Sequence, residues 1–166
     1  MQCPVCHADN YAGDDFCANC GADLAAADLP EDALAFSGRL LGAHLDALGA
    51  PAPETIDAAV PVADAIARMR AGRLDCLLVT REGRLAGIFT ERDAVLKVAG
   101  RALEDRPIGD LMTPDPVALR PDDPVAVAIH KMAVGGFRHV PVVEDGRPIA
   151  IVSARDVFRH IAARLA

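Results

Sequence analysis

Four cysteines near the N-terminus are the residues whose type and spacing most plainly suit chemistry. CPVC at 3–6 and CANCG at 17–21 set two Cys-x-x-Cys pairs ten residues apart. Four thiolates so arranged can converge on one tetrahedral ion, because each two-residue spacer permits a tight turn that aims both sulfurs inward. Cys3, Cys6, Cys17 and Cys20 are therefore the predicted ligands, with structural zinc as the leading reading and an iron site or a thiol redox pair as the others. Four ligands leave no open coordination place, which argues against zinc catalysis. His7 would be a surplus ligand and is read as exposed or as lying behind the sulfurs. Gly21 suits a backbone position of positive φ. The segment's larger apolar groups are only Val5, Tyr11, Phe16 and Leu24, so metal ligation would supply most of its folding energy, about 10 kcal/mol or more.

A second pattern occurs twice, as Thr90-Glu91-Arg92-Asp93 and Ser153-Ala154-Arg155-Asp156. Each fits a capping box, in which the hydroxyl accepts from the amide three residues on and the acid returns to the cap amide. Each also suits a nucleoside phosphate. A helix start presents N–H donors and partial positive charge, a carboxylate can accept from a vicinal diol, and Arg92 or Arg155 adds a cation. Spacing alone does not choose between the two readings.

The elements that must position these corners follow from a repeat. Residues 60–93 slide onto 123–156 with a shift of 63 and no gap, and thirteen of the 34 pairs are identical. Two copies of one supersecondary unit explain this. In each copy a helix begins at Pro61 or Pro124, a residue suited to the first helical position, with Asp122 or Asp123 able to cap the second copy. The buried stripe reads Val62, Ala65, Ile66, Met69 and, in the second copy, Val125, Ala128, Ile129, Met132. Gly72 or Gly135 ends the helix. A strand follows (76–80, 140–143), then a turn on Glu82-Gly83 or Asp145-Gly146, then a second strand (85–89, 149–152) and a second helix after Thr90 or Ser153. One hairpin has a small core, so the two copies are expected to pack through their sheets. Ahead of them, apolar spacing over 31–48 predicts an amphipathic helix that GAPAP at 49–53 stops.

Composition agrees with a folded α/β chain: 166 residues, 52% apolar, 4% aromatic and no Trp, so the core is aliphatic. The net charge of −7 lies wholly in the N-terminal part, since residues 1–38 hold seven acids and neither Lys nor Arg. With no bulk basic surface, a nucleic-acid partner is not expected. No apolar run is long enough to span a bilayer and the N-terminus lacks a secretory pattern, so no membrane role and a cytoplasmic location are expected.

Residues 3–21 resemble the short zinc ribbons at the N-termini of many bacterial and archaeal proteins, and the iron alternative resembles a rubredoxin site. The pieces GIFTERD (87–93), DLMTPDPVALRPDDPVAVAIHKM (110–132), GFRHVPVVEDG (136–146) and AIVSARD (150–156) resemble CBS domains, named for cystathionine beta-synthase. The resemblance implies two βαββα repeats packed with pseudo-twofold symmetry, a Bateman module, after a small zinc ribbon. The boundaries read 1–24 ribbon, 25–50 linker and helix, 51–108 first repeat and 109–166 second repeat. It also implies a cleft for AMP, ADP, ATP or S-adenosylmethionine. Asp93 and Asp156 would hold ribose hydroxyls, Thr90 and Ser153 would meet phosphate, and Arg92 and Arg155 would sit beside them. Arg138 and His139 would add phosphate contacts, and Val140 and Pro141 would border adenine. The first repeat departs from this pattern, with Asp75-Cys76-Leu77-Leu78 where the second has Arg138-His139-Val140-Pro141, and Ala150 replaces a glycine in the second. Modules of this kind commonly form dimers.

Bland readings cover the rest. Cys76 suits a buried small hydrophobe, His139 either a satisfied sheet residue or a ligand contact, and His44, His130 and His160 surface positions. No nucleophile-and-base set, paired acids or open metal site is found, so no catalysis is expected. The favoured function is a regulatory protein binding an adenine nucleotide. The alternatives are a constitutive interaction module, docking a protein partner through the acidic ribbon, and an iron-binding electron carrier.

Overall fold

The structure, a computed structural model, describes residues 1–11, 14–24 and 43–165. The described residues fall into two compact units, one within the stretches 1–51, 119–140 and 152–166 and the other within 52–118 and 141–151.

In the second of these, β1 (Thr55–Asp57), β2 (Cys76–Arg81), β3 (Arg84–Thr90) and β4 (Thr113–Pro114) form one sheet in that order. β1 runs parallel to β2, while β3 is antiparallel to both β2 and β4. Helix α1 (Val62–Gly72) lies between β1 and β2, the crossover a parallel pair requires. Its buried face is Val62, Ala65 and Met69, and these pack with Ile56, Leu77, Val79, Phe89, Ile108 and Met112. After β3 comes α2, only three residues long (Glu91–Asp93), which passes directly into a π-helical turn, Ala94–Val98.

The second repeat supplies α3 (Val125–Gly135), the paired strands β5 (His139–Glu144) and β6 (Arg147–Ser153), and α4 (Ala154–Leu165). Both hairpins turn as their sequences require. Glu82 and Gly83 have φ of 52° and 74°, and Asp145 and Gly146 have 50° and 77°. Two successive positive values are the signature of the turn whose twist matches the flanking strands.

The helix starts differ from expectation. Pro61 and Pro124 stand one place before their helices with extended ψ of 142° and 146°, and neither start has a side-chain cap. Asp123 instead accepts from the Arg120 amide at 2.7 Å. Backbone carbonyls from elsewhere satisfy the exposed donors. Val62 N–H donates to the Arg106 carbonyl at 2.8 Å, Ile108 N–H to Val60 at 2.9 Å, and Gly109 N–H to Ala58 at 2.9 Å. The matching set is Val125 to Ala43 at 2.8 Å, Leu45 to Asp123 at 3.0 Å, and Asp46 to Pro121 at 3.1 Å. The shift of 63 relates every pair. The stretch that precedes each repeat thus closes the helix start of the other, and Leu45 and Ile108 fill equivalent buried places at 1% and 0% exposure.

This pairing also corrects the last part of the helix expected over 31–48. Residues 31–42 lie outside the described residues. His44 is extended, with ψ of 158°, and bridges Pro124, so only a 3-10 turn, Leu45–Leu48, follows it. Leu45 and Leu48 recur at helical spacing, yet an extended residue that pairs with another segment cannot sit inside an α-helix.

Gly72 and Gly135 are the last helical residues, and the left-handed caps are the next residues, Arg73 and Gly136. The two glycines are needed for space. A Cβ on Gly72 would meet Leu74 Cγ at 2.9 Å, and one on Gly135 would collide with the Phe137 ring.

Candidate functional site

The four predicted metal ligands come together. Sγ atoms of Cys3, Cys6, Cys17 and Cys20 all lie within 4.8 Å of one another, with Cys3 to Cys20 and Cys6 to Cys17 both at 3.6 Å. A tetrahedral ion with metal–sulfur bonds of about 2.3 Å requires sulfur–sulfur edges of about 3.8 Å, so the donor set fits such an ion. Two similar turns build it. His7 N–H donates to the Cys3 carbonyl at 2.9 Å and Gly21 N–H to Cys17 at 2.8 Å, and both residues have positive φ, 57° and 71°. His7 is exposed and stands outside the sulfur cluster. Burial opposes the Cys17 thiolate, but the Cys20 and Asn19 amides outweigh it and bring the thiol down to about 6.

Gly21 touches the second repeat. A Cβ there would stand 2.6 Å from His130 Nδ1 and 3.2 Å from Cε1. Gly21→Ala is therefore expected to lower stability, through both the φ of 71° and the ring contact. His130→Ala should recover the contact part and leave the backbone part, about 1–2 kcal/mol, in a double-mutant cycle measured by thermal unfolding.

Both strand-to-helix corners are complete capping boxes. Asp93 N–H donates to Thr90 Oγ1 at 3.2 Å, while Thr90 N–H and its hydroxyl donate to Asp93 Oδ2 at 2.9 and 2.7 Å. At the other corner Asp156 N–H donates to Ser153 Oγ at 3.3 Å, and Ser153 N–H and hydroxyl donate to Asp156 Oδ2 at 2.8 and 2.5 Å. Asp93 and Asp156 are buried to the same degree, each 8% exposed. Burial opposes both charges, but the Lys97 ammonium with the Thr90 donors at one corner, and the Ser153 donors with Arg159 at the other, hold each carboxyl below the usual range.

The strand before each corner is tied to it. Ala154 N–H donates to the Arg138 carbonyl at 2.9 Å, and Glu91 N–H donates to the Asp75 carbonyl at 3.1 Å. Arg138 thus stands beside Ser153 on exposed ground, next to half-buried His139 and the buried Val140 and Pro141. The acid Asp75 holds the corresponding place in the first repeat. Arg92 and Arg155 are exposed, and other cations reach the carboxylates: Lys97 Nζ lies 2.7 Å from Asp93 Oδ1, and Arg159 pairs with Asp156 Oδ1. Both follow their acids at one-turn spacing, a signal that could have been read. Thr113, whose hydroxyl donates to Asp93 Oδ1 at 3.2 Å, left no such signal.

Two of the bland readings are revised. His160 is buried at 7% exposure, with Nδ1 2.8 Å from Arg164 Nη1, because α4 turns its Asp156, Val157 and His160 face inward. His130 is half-buried rather than on the open surface. Cys76 is half-buried, and burial together with the Asp75 charge pushes its thiol up to about 12, so it is a packing residue.

The CBS domain family model matches residues 48–100 and 108–163. The chain belongs to the CBS domain family. The CBS domain-containing protein CBSCBSPB5 of Arabidopsis thaliana is 37% identical over 114 residues, covering 67% of this chain and 21% of that protein. The chain thus spans about a fifth of the length of such curated plant relatives. Among solved structures, the CBS-domain containing protein ATU1752 of Agrobacterium tumefaciens is 31% identical with a TM-score of 0.64, covering 71% of this chain and 92% of that one. The CBS domain protein PAE2072 of Pyrobaculum aerophilum, complexed with AMP, shares the fold at TM-score 0.65 and 24% identity, covering 73% and 99%. Among the described residues of this CBS pair, no helix is long and apolar enough to cross a membrane.

Proposed function

We propose that the chain is a noncatalytic regulatory module that binds an adenine nucleotide at a strand-to-helix corner, behind a zinc-stapled N-terminal ribbon. The observation that carries this is the assembly around α4: the Ser153 hydroxyl, the ionised Asp156 and the start of a twelve-residue helix, with the main-chain carbonyl of Arg138 accepting from its first amide. A phosphate gains from the helix N-terminus and from the guanidinium, and a ribose diol gains from the carboxylate. The relatives from Pyrobaculum aerophilum, complexed with AMP, and CBSX2, also in complex with AMP, support the ligand class.

The donor set of four sulfurs supports zinc, which the ribbon would use for folding rather than for reaction. Two chains are proposed to associate. Val95 and Phe158 occupy equivalent positions after the two corners, 67% and 69% exposed, and offer apolar surface for that contact. The acidic N-terminal segment would meet a protein partner.

Calorimetric titration of the zinc-loaded chain with AMP, ADP, ATP and S-adenosylmethionine tests the reading. Saturable heat and a rise in melting temperature are expected with at least one of them. Absence of both for all four would leave the interaction-module alternative standing.

A further inference from the structure

We infer that Lys97 and Thr113 close the first corner, so that each chain takes a single adenine nucleotide, at Ser153-Ala154-Arg155-Asp156. The inference rests on the nucleotide-binding reading above and adds which corner binds and what shuts the other.

Counting donors and acceptors separates the two aspartates. A carboxylate offers about four acceptor places. Asp93 fills four: Thr90 N–H and hydroxyl on Oδ2 at 2.9 and 2.7 Å, and Lys97 Nζ and the Thr113 hydroxyl on Oδ1 at 2.7 and 3.2 Å. Lys97 is equally committed. Its ammonium has three donors, and it reaches the Leu111 and Met112 carbonyls at 2.9 and 3.2 Å besides Asp93. A ribose diol could reach Asp93 only by breaking a cross-link that also holds the 111–113 backbone.

That backbone is itself pressed against the corner's strand. Thr113 and Pro114 pair with Ile88 and Gly87, and a Cβ on Gly87 would stand 2.8 Å from the Thr113 carbonyl oxygen. The helix that would present amides to a phosphate is α2, three residues long before the π turn. Asp75 adds an acid where the second repeat has Arg138.

None of these devices is repeated at Asp156. The shift of 63 places His160 opposite Lys97 and Ala50 opposite Thr113, so neither lock has a counterpart in sequence. His160 turns its Nδ1 to Arg164 at 2.8 Å. Among the described residues, Asp156 Oδ1 meets only Arg159, whose side chain is 69% exposed and can swing into water without breaking other bonds. Oδ2 is held by Ser153, as in the first box. Asp156 therefore keeps acceptor capacity that Asp93 has spent within the fold.

AMP titrated calorimetrically into the zinc-loaded full chain should show one nucleotide per chain. Asp156→Asn should weaken that site at least about tenfold. Lys97→Met with Thr113→Val should open a second site, which Asp156→Asn in that background leaves occupied. Hydrogen exchange of the wild-type chain supplies a readout independent of whether the opened variant folds: AMP should protect the Ser153–Asp156 amides and leave those of Thr90–Asp93 unchanged. Two nucleotides per wild-type chain, or protection at Thr90–Asp93, would overturn the inference while leaving the nucleotide reading intact. Wild-type chain that takes up no AMP would overturn both.

Discussion

Stripping the zinc proposed for the four-cysteine cluster with a strong chelator is expected to unfold residues 1–24 and to leave the cooperative melting of the CBS pair in place. The segment has little else to hold it. Tyr11 and Phe16 are 85% and 63% exposed, and its fully buried side chains include Cys3 and Cys17. Structural zinc in comparable small sites binds with about 10–16 kcal/mol, far more than the few backbone bonds of the two turns can supply. Elemental analysis should give one zinc per chain. Hydrogen exchange should show the Cys3 and Cys17 amides, which donate to the Ala8 and Ala22 carbonyls at 2.9 and 2.7 Å, losing protection on chelation. A Cys3→Ser, Cys17→Ser chain should behave like the chelated one. Retained protection after complete metal removal would mean that packing, not ligation, folds the segment.

The second large effect is expected at Asp156. Replacing it by Ala should lower affinity for the adenine nucleotide by at least about 100-fold, the loss of two hydrogen bonds to a charged acceptor at about 1.5–3 kcal/mol each. The same change should cost only about 0.5–2 kcal/mol of stability, the usual worth of a helix cap. Unchanged affinity beside such a loss would mean that the corner is a cap and nothing more. Acid stability offers a second measurement. The folded Asp156 carboxyl sits below its ordinary range because the Ser153 donors and Arg159 outweigh the effect of burial. Its stabilising contribution is therefore complete above the unfolded carboxyl value of about 3.9, and it fades as pH falls through the lower folded value. Asp156→Asn should flatten that acid limb without removing it, since Asp93 is shifted in the same direction.

How much of this was readable in advance follows the range of the interactions. The hairpin turns at Glu82-Gly83 and Asp145-Gly146 were legible because positive φ is a local demand on residue type. The capping boxes at Thr90 and Ser153 were legible because both partners lie within one helical turn. The cysteine cluster was legible because two-residue spacers encode the turn as well as the ligands. The α1 stripe was legible because period 3.6 marks a buried face, whereas α3 buries Ala126 and Val127 besides its stripe residues Val125, Ala128 and Met132. What misled was the apolar spacing around Leu45 and Leu48. It has the right period for a helix, but His44 is recruited as an extended residue against Pro124.

Sequence by itself determined the duplication, the kind of corner each copy carries and the set of clustered cysteines, because each is written in residues close together or in a repeat that can be superposed on itself. Only the tertiary structure decided which acceptor places each corner aspartate has already spent. The bonds from Thr113 to Asp93 and from Lys97 to the 111–112 backbone join residues far apart in the chain. Whether a carboxylate still has room for a ligand depends on every donor that folding brings to it, and that sum exists only once distant segments have been brought together.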